Sequence, residues 1–563
     1  MHYKNFVNAT YAPAAYLSES APDALAADIE KVTRYVGLDK IYLETYRSGV
    51  TVERGKMEQI KELCASRGLA LAGGVTTTAQ GSLMGAMCYT DPLTRERLGD
   101  VAAYTAGLFD EFILDDFFFT NCRCERCAEA KGGRSWADFR LMQMRDVAEN
   151  VIVKPAKAAN GRVRVVIKYP NWYESFPACG YNLRETPALF DGVYAGTETR
   201  DPHYTHQNLQ RYLSYFLPRL LERAAPGRNG GGWYDLFECG LEDYVQQAYL
   251  TLFAKCRENM LFCLPLLARY PAVYAAAAGA VYDDADGLMG RLGSPAGVAC
   301  YKPHNSQGER HLYDYLGMLG LPLDPYPYYP ENAATVLLTA SAAHDGRITE
   351  HIKGTLARGG DVFVTSGLYG ALSGKGIEDI LPLAVTGGTA AAARFTNPGY
   401  GRNNTSFVSA AEPLALPLME YDTNNLWALS SALTPYGSHP WLLRGACGNG
   451  ALYVLGIPPR FADLYKLPPE TLTLLRGEMR LPVTLECGAG VGLFLYDNNT
   501  FIVCSFLTEP VNVKMRFARA GTALTQLAGT GAARRARSLD GESVYEVTLQ
   551  PGRYHAFEYG ESR

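Results

Sequence analysis

The sequence predicts an α/β protein: an N-terminal (β/α)8 barrel, an open doubly wound α/β domain, and a small C-terminal β-sandwich. Three observations carry this. Over roughly the first 290 residues, eight short apolar runs alternate with amphipathic stretches, the pattern of a closed parallel barrel. From about residue 293 strands and helices still alternate, in fewer repeats. From about residue 481 short strands take over, separated by turn signals such as Asp497-Asn498-Asn499 and Asp540-Gly541.

The eight runs are 6–11, 40–46, 69–76, 112–119, 163–169, 192–197, 232–237 and 260–266. Stretches of helical periodicity lie between them, among them 22–36, 52–67, 93–108 and 135–158. In the middle domain, strands at 298–301, 335–338, 361–365 and 450–456 alternate with helices at 311–319, 345–358 and 469–480. Residues 383–445, rich in Gly, Ala, Thr and Asn, read as an insertion with little helix. The tail offers strands at 492–496, 500–506, 511–517, 543–549 and 553–558. The resulting boundaries are 1–290, 291–480 and 481–563.

A chain of 563 residues exceeds a single core. Hydrophobic residues at 47% and charged residues at 20% are ordinary for a soluble globular protein. A net charge of -5 gives no basis for a nucleic-acid or anionic-membrane partner. The N-terminus, Met1-His2-Tyr3-Lys4-Asn5-Phe6, lacks the apolar segment of a secretory signal, and apolar stretches break before membrane length. Most of the 13 cysteines sit singly in apolar runs, as Cys256, Cys263, Cys300 and Cys504 do. That usage suits reduced thiols in the cytoplasm. The 37 Tyr, 22 Phe and 5 Trp supply flat faces that stack on sugar rings or fill interfaces.

The most informative segment is Glu111 to Cys127. An apolar strand, Phe112 to Leu114, ends on Asp115 and Asp116, and Cys122, Cys124 and Cys127 follow. In a barrel the chemistry sits at the C-terminal ends of the strands. Adjacent strand residues point to opposite faces, so one of the two acids is expected to face the mouth: Asp116, nearer the end. The other strand ends add Glu44 and Arg47, Lys168 with Trp172 and Tyr173, Glu198 with Arg200, and Trp233 with Asp235 and Glu238. Carboxylates with aromatic rings suit glycosidic bond cleavage, which uses one carboxyl as acid and another as base or nucleophile. Asp116 is the expected acid/base. Asp235 or Glu238 is the expected nucleophile, with Glu198 competing. Asp115, Glu44, Arg47, Lys168, Trp172, Tyr173, Arg200 and Trp233 are the expected substrate-binding residues. A different reading of Lys168 is a Schiff-base lyase or aldolase, which requires a depressed amine pKa.

Three cysteines spaced Cys-x-Cys-x-x-Cys leave a zinc ion one ligand short. Cys88, just past strand 3 on the neighbouring βα loop, is the expected fourth. Four thiolates close the coordination shell, so the expected metal is a structural zinc, with no organic cofactor.

These residues resemble glycoside hydrolase family 42 β-galactosidases. The likeness rests on Cys88 after strand 3, Cys122, Cys124 and Cys127 after strand 4, and the domain order. The segment Leu337 through Gly367 resembles the central part of that family's glutamine-amidotransferase-like (flavodoxin-like) trimerisation domain. The resemblance implies a homo-oligomer, trimer or dimer. Where the family carries Asn-Glu after strand 4, this chain has Asp115-Asp116, and the family's strand-7 Glu is matched in type by Glu238. A second acid on strand 6, Glu198, would instead resemble the α-galactosidase-type barrel. The expected activity is a cytoplasmic glycosidase, galactosidase-like, that removes a terminal sugar from oligosaccharides or glycosides. The alternative is a barrel that binds carbohydrate or scaffolds an assembly without catalysis.

Overall fold

The computed structural model describes residues 2–82, 85–269, 271–398, 405–422, 426–536 and 542–561. The chain forms two compact units, residues 1–291 and 292–563.

Eight parallel strands close the first unit into a barrel: β1 (Val7–Ala12), β2 (Lys40–Arg47), β3 (Ala70–Thr76), β4 (Glu111–Leu114), β5 (Arg164–Tyr169), β6 (Gly192–Gly196), β7 (Asn229–Asp235) and β8 (Glu258–Phe262). Closure comes from β1, which pairs Val7 with Glu258 on one side and Ala9 with Lys40 on the other. The strands are almost wholly buried because helices cover the outside and side chains fill the inside. The interior is packed by Tyr11, Tyr42, Ile113, Tyr194, Trp233 and Met260. Room for two of these rings comes from glycine: a Cβ at Gly74 would stand 2.4 Å from the Tyr11 hydroxyl, and one at Gly231 would stand 2.4 Å from the Tyr194 ring.

The N-terminal end of the barrel is closed by polar groups. Lys40 pairs with Glu111 and with Glu258, the latter at 3.0 Å, and Glu258 accepts from Tyr42 and Tyr194. Helix starts carry local signals: Asp91 accepts from the Thr94 amide ahead of Pro92–Ala106, and Ser135 accepts from the Asp138 amide ahead of Trp136–Val147.

In the second unit, nine strands form one sheet: β9 (Val298–Tyr301), β10 (Leu323–Tyr326), β11 (Thr335–Leu338), β12 (Asp361–Thr365), β13 (Leu383–Pro398), β14 (Thr405–Tyr421), β15 (Leu426–Thr434), β16 (Gly437–Cys447) and β17 (Gly450–Leu455). Their order is β10-β9-β11-β12-β17-β16-β15-β13-β14. The first five in that order pair in parallel, and the stretch read as an insertion with little helix adds four antiparallel strands, one of them 17 residues long. Its Gly, Ala and Asn are poor strand formers, so composition hid the pairing.

The C-terminal strands are β18 (Val483–Glu486), β19 (Val491–Tyr496), β20 (Thr500–Ser505), β21 (Val511–Phe517), β22 (Thr522–Ala528), β23 (Arg534–Ala536), β24 (Ser543–Leu549) and β25 (Tyr554–Glu561). They form two sheets, β19-β20-β25-β22 with Pro295–Ala296 at one edge, and β18-β21-β24-β23. The turn at 497–499 joins β19 to β20 as read from sequence, with Asn499 in the left-handed region at φ 62°. The turn expected at Asp540-Gly541 lies outside the described residues. Among the described residues, no helix is long and apolar enough to cross a membrane.

Candidate active site

The sheet ends at Leu114, earlier than the 112–119 run suggested. Asp115 keeps one ladder bond, its amide donating to the Val75 carbonyl at 3.0 Å, and the chain then turns, with Phe119 N donating to Phe117 O at 2.8 Å. Strand alternation therefore stops, and the expectation that only one aspartate faces the mouth is corrected. Both carboxylates converge on Lys168 of β5, Asp116 at 2.8 Å and Asp115 at 3.7 Å. Glu198, just past β6, takes a third position on the same ammonium at 3.1 Å.

Lys168 is 3% exposed and lies 4.2 Å from the centre of the Trp233 ring. Burial disfavours its charge, but the carboxylates of Asp116, Glu198 and Asp115 outweigh burial and hold its pKa above the ordinary value. A Schiff base needs a neutral amine, so this setting corrects the lyase or aldolase reading of Lys168.

Burial, opposed by Lys168 and reinforced by Asp115 and Glu198, pushes the Asp116 carboxyl up to about 8. Asp115 goes the other way. Burial works against its charge, but Lys168, Arg47 and the Asp116 amide hold its pKa below the ordinary value. Two neighbouring carboxyls thus receive opposite protonation preferences, the arrangement that separates an acid from a permanent anion.

Arg47 donates to Asp115 at 2.8 Å and to both oxygens of Glu44 at 3.0 Å. Glu44 is fully buried and also accepts from the Tyr11 hydroxyl and the Ala14 amide, each at 2.7 Å. It has no surface for a substrate, so its role is to fix Arg47, which corrects the binding role expected of it.

On the far side, Arg200 turns away from Glu198. It closes a two-point pair on Asp235, 2.9 Å and 3.3 Å, and reaches Glu238 at 3.6 Å. The backbone explains this, since Arg200 sits in the left-handed region at φ 58°. Burial raises the pKa of Asp235 above the ordinary carboxylate value even against Arg200. Glu238 is 39% exposed, beyond the end of β7. The Glu198 Oε2 is buried and has no hydrogen-bond partner, while its other oxygen holds Lys168.

Trp233 and Tyr173 are core rings: Trp233 stacks on Phe262 at 5.3 Å, and Tyr173 packs on Phe216 at 5.7 Å. Their expected role as open sugar platforms is corrected, because Trp233 points inward from β7 and Tyr173 is 2% exposed. Trp172 stays half-buried against Phe119 at 6.1 Å, and Phe117 stands beside Phe119 at 6.3 Å with the Arg47 guanidinium 5.8 Å from its centre.

Sequence reasoning passed over Phe117, Phe119, Asn171 and Tyr181. Asn171 donates to the Glu198 carbonyl at 2.7 Å, and the Tyr181 hydroxyl donates to the Asp116 carbonyl at 2.5 Å. Asn171 stood in a strand-end segment and was findable there; nothing in the sequence marks Tyr181.

The four cysteines do come together. The Sγ atoms of Cys88, Cys122, Cys124 and Cys127 all lie within 4.8 Å of one another. Cys88 is 3.7 Å from both Cys124 and Cys127, and tetrahedral zinc with sulfur at about 2.3 Å sets its thiolates roughly 3.8 Å apart. Thr90 places its hydroxyl 3.1 Å from Cys88 and 2.9 Å from Cys127. All thirteen cysteines are free thiols, so no disulfide competes for these four.

Residues 1–279 match the family model for the catalytic domain of a probable glycosyl hydrolase, and residues 482–559 match that for its C-terminal domain. By these two matches the chain carries the catalytic and C-terminal domains of a probable glycosyl hydrolase. Residues 293–460 match the second domain of uncharacterized protein SSO3021. That protein, from Saccharolobus solfataricus, is 29% identical over 295 residues, 46% of this chain and 48% of its own. The chain thus spans about half the length of the curated relative it matches.

Two solved structures share its fold. A β-galactosidase from Bacillus circulans sp. alkalophilus has a TM-score of 0.65 at 12% identity, covering 100% of both chains. An α-L-fucosidase isoenzyme 2 from Paenibacillus thiaminolyticus has a TM-score of 0.66 at 11% identity, covering 99% of this chain and 100% of its own.

Proposed function

We propose that the hydrolase removes a terminal sugar from a glycoside with retention of configuration, Asp116 acting as proton donor and Glu198 as nucleophile. One observation carries the reading: a single ammonium, Lys168, holds an oxygen of Asp116 at 2.8 Å and an oxygen of Glu198 at 3.1 Å. Those oxygens are therefore at most about 6 Å apart, closer to the 5–5.5 Å of retaining pairs than to the 6.5–9.5 Å of inverting ones.

The protonation states agree with the roles. Asp116, raised to about 8, carries its proton at neutral pH and gives it to the departing oxygen. Lys168 donates to one oxygen of Glu198 at 3.1 Å and fixes its orientation. An unpartnered buried carboxylate oxygen is costly as a structural group, so Glu198 Oε2 is better understood as a group held for reaction. Asp115, fixed by Arg47 and Lys168, supplies the negative field that favours positive charge developing on the sugar. Asp235 and Glu238, gripped by Arg200, serve the pocket wall rather than the chemistry.

The same proposal takes Cys88, Cys122, Cys124 and Cys127 as ligands of a structural zinc that fixes the loop after β4. It takes the cytoplasm as the location, in keeping with thirteen free thiols. It assigns the nine-stranded sheet to an amidotransferase-like domain used for homo-oligomerisation. Galactosides are the first substrates to try.

The test is a panel of nitrophenyl glycosides, with the anomer of the first product followed by NMR. Turnover with retention, abolished by E198Q and by E198A, with azide restoring E198A as a glycosyl azide of inverted configuration, supports the assignment. An inverted first product, or E198Q with full activity, overturns it.

A further inference from the structure

Taking Asp116 as proton donor, a reading on which this inference rests, the leaving group must lie within hydrogen-bond reach of its carboxyl. The residues nearest in the chain are aromatic. Phe117 and Phe119 follow on the same turn, and Trp172 arrives from the end of β5. The three rings form one continuous wall, Phe117 to Phe119 at 6.3 Å and Phe119 to Trp172 at 6.1 Å. All three are half-buried, unlike Phe118 between them, which is 2% exposed and packs on Phe190.

The alternation along Phe117-Phe118-Phe119 is itself informative. Here the buried middle ring anchors the turn and the outer two are presented. The turn is fixed from below, with the Thr77 hydroxyl donating to the Phe117 carbonyl at 2.7 Å and the Thr120 hydroxyl to the Met87 carbonyl at 3.1 Å. The Arg47 guanidinium, 5.8 Å from the centre of Phe117, ties the wall to the acidic cluster.

We propose that Phe117, Phe119 and Trp172 form the leaving-group subsite, and that it takes an aglycone with a flat apolar face, an aryl ring or the face of a second sugar. The apolar wall offers no partner for a charged or branched polar aglycone, whose desolvation would go uncompensated.

The test compares wild type with F119A, F119L and F119W on three substrates that share the glycone found active in the panel: a glycosyl fluoride, a nitrophenyl glycoside and a disaccharide. Fluoride is too small to touch the wall, so the ratio of kcat/KM on each larger substrate to that on the fluoride isolates the subsite. The expected result is a fall of roughly tenfold in that ratio in F119A and F119L, matching the stacking lost with one ring, and its recovery in F119W. F119L keeps apolar volume on the turn, so a fall there reports the lost flat face rather than a collapsed loop. A fall confined to the nitrophenyl glycoside assigns the subsite to aryl groups, and one on both assigns it to sugars as well. Unchanged ratios in F119A and F119L overturn the subsite while leaving the glycosidase reading intact. A wild type inert across the whole nitrophenyl glycoside panel overturns the glycosidase reading itself.

Discussion

Arg200 follows Glu198 by two residues yet pairs with Asp235, at 2.9 Å and 3.3 Å, leaving Glu198 to share the Lys168 ammonium at 3.1 Å with Asp116. The two acids beyond β6 and β7 thereby acquire different characters, one gripped from two points and one with a free oxygen. E198Q is expected to lose roughly a thousandfold in kcat, the scale of a removed catalytic group, and E198A, which leaves room for azide, to be rescued by it. D235N leaves Arg200 without its main partner. It is expected to cost about 3 kcal/mol of stability, read as a lower melting temperature, and to show no azide rescue.

The pH profile follows from Asp116. A proton donor works only while protonated, so kcat/KM is expected to hold on the acid side of pH 8 and to fall as pH rises through about 8. Lys168 opposes the upward shift of Asp116, so K168M moves that alkaline limb to higher pH. A limb that stays in place in K168M contradicts the electrostatic link.

Lys168 is also a buried cation with three carboxylate partners. Replacing it with Met leaves Asp116 and Glu198 without their cation in the interior and Asp115 with Arg47 alone, and is expected to cost about 3–5 kcal/mol, measurable by urea unfolding. Borohydride treatment in the presence of carbonyl compounds is expected to leave no adduct on Lys168 by mass spectrometry.

For the cysteine cluster, elemental analysis is expected to find zinc bound at one ion per chain, lost in C124S and on exhaustive chelation. Metal binding that needs a preformed site is linked to folding, so the melting temperature falls with the metal. Unchanged zinc content in C124S removes Cys124 from the ligand set.

In the second unit, Arg476 is 1% exposed and has carbonyl oxygens as its strongest partners: Leu319 at 2.7 Å, Leu485 at 2.9 Å, Cys487 at 2.7 Å and Gly488 at 3.0 Å. R476M keeps the apolar stem but leaves these acceptors without donors. At about 1–3 kcal/mol for each orphaned group, the variant is expected to unfold that unit well before the barrel, seen as a separate early calorimetric transition.

What could be read in the sequence was whatever depends on local chain chemistry. The barrel strands are buried on both faces and so appear as continuous apolar runs, β2 and β3 among them. Cysteine spacing and the position of Asp116 past an apolar strand are local too. Distant partners were not readable. Glu198 and Arg200 stand two residues apart, but a left-handed residue at Arg200 turns its side chain to Asp235 instead. Trp233 looked like a platform by position, but its place on β7 points it into the barrel, where Phe262 covers it. Glu44 looked functional until Tyr11, Ala14 and Arg47 took its oxygens. The long strands β13 and β14 were hidden because pairing between strands, rather than residue preference, holds them extended.

The Lys168 cluster carries its own counterions. Lys168 is 3% exposed and Glu198 5%, so their mutual attraction passes through protein rather than solvent. Mobile ions act over a screening length of about 8 Å in physiological saline and about 3 Å in molar salt, but only where they can enter. The ionisation that sets the reaction is thereby insulated from the medium. A pH profile governed by this cluster is expected to move little from dilute buffer to brine, because the charges that set it are buried.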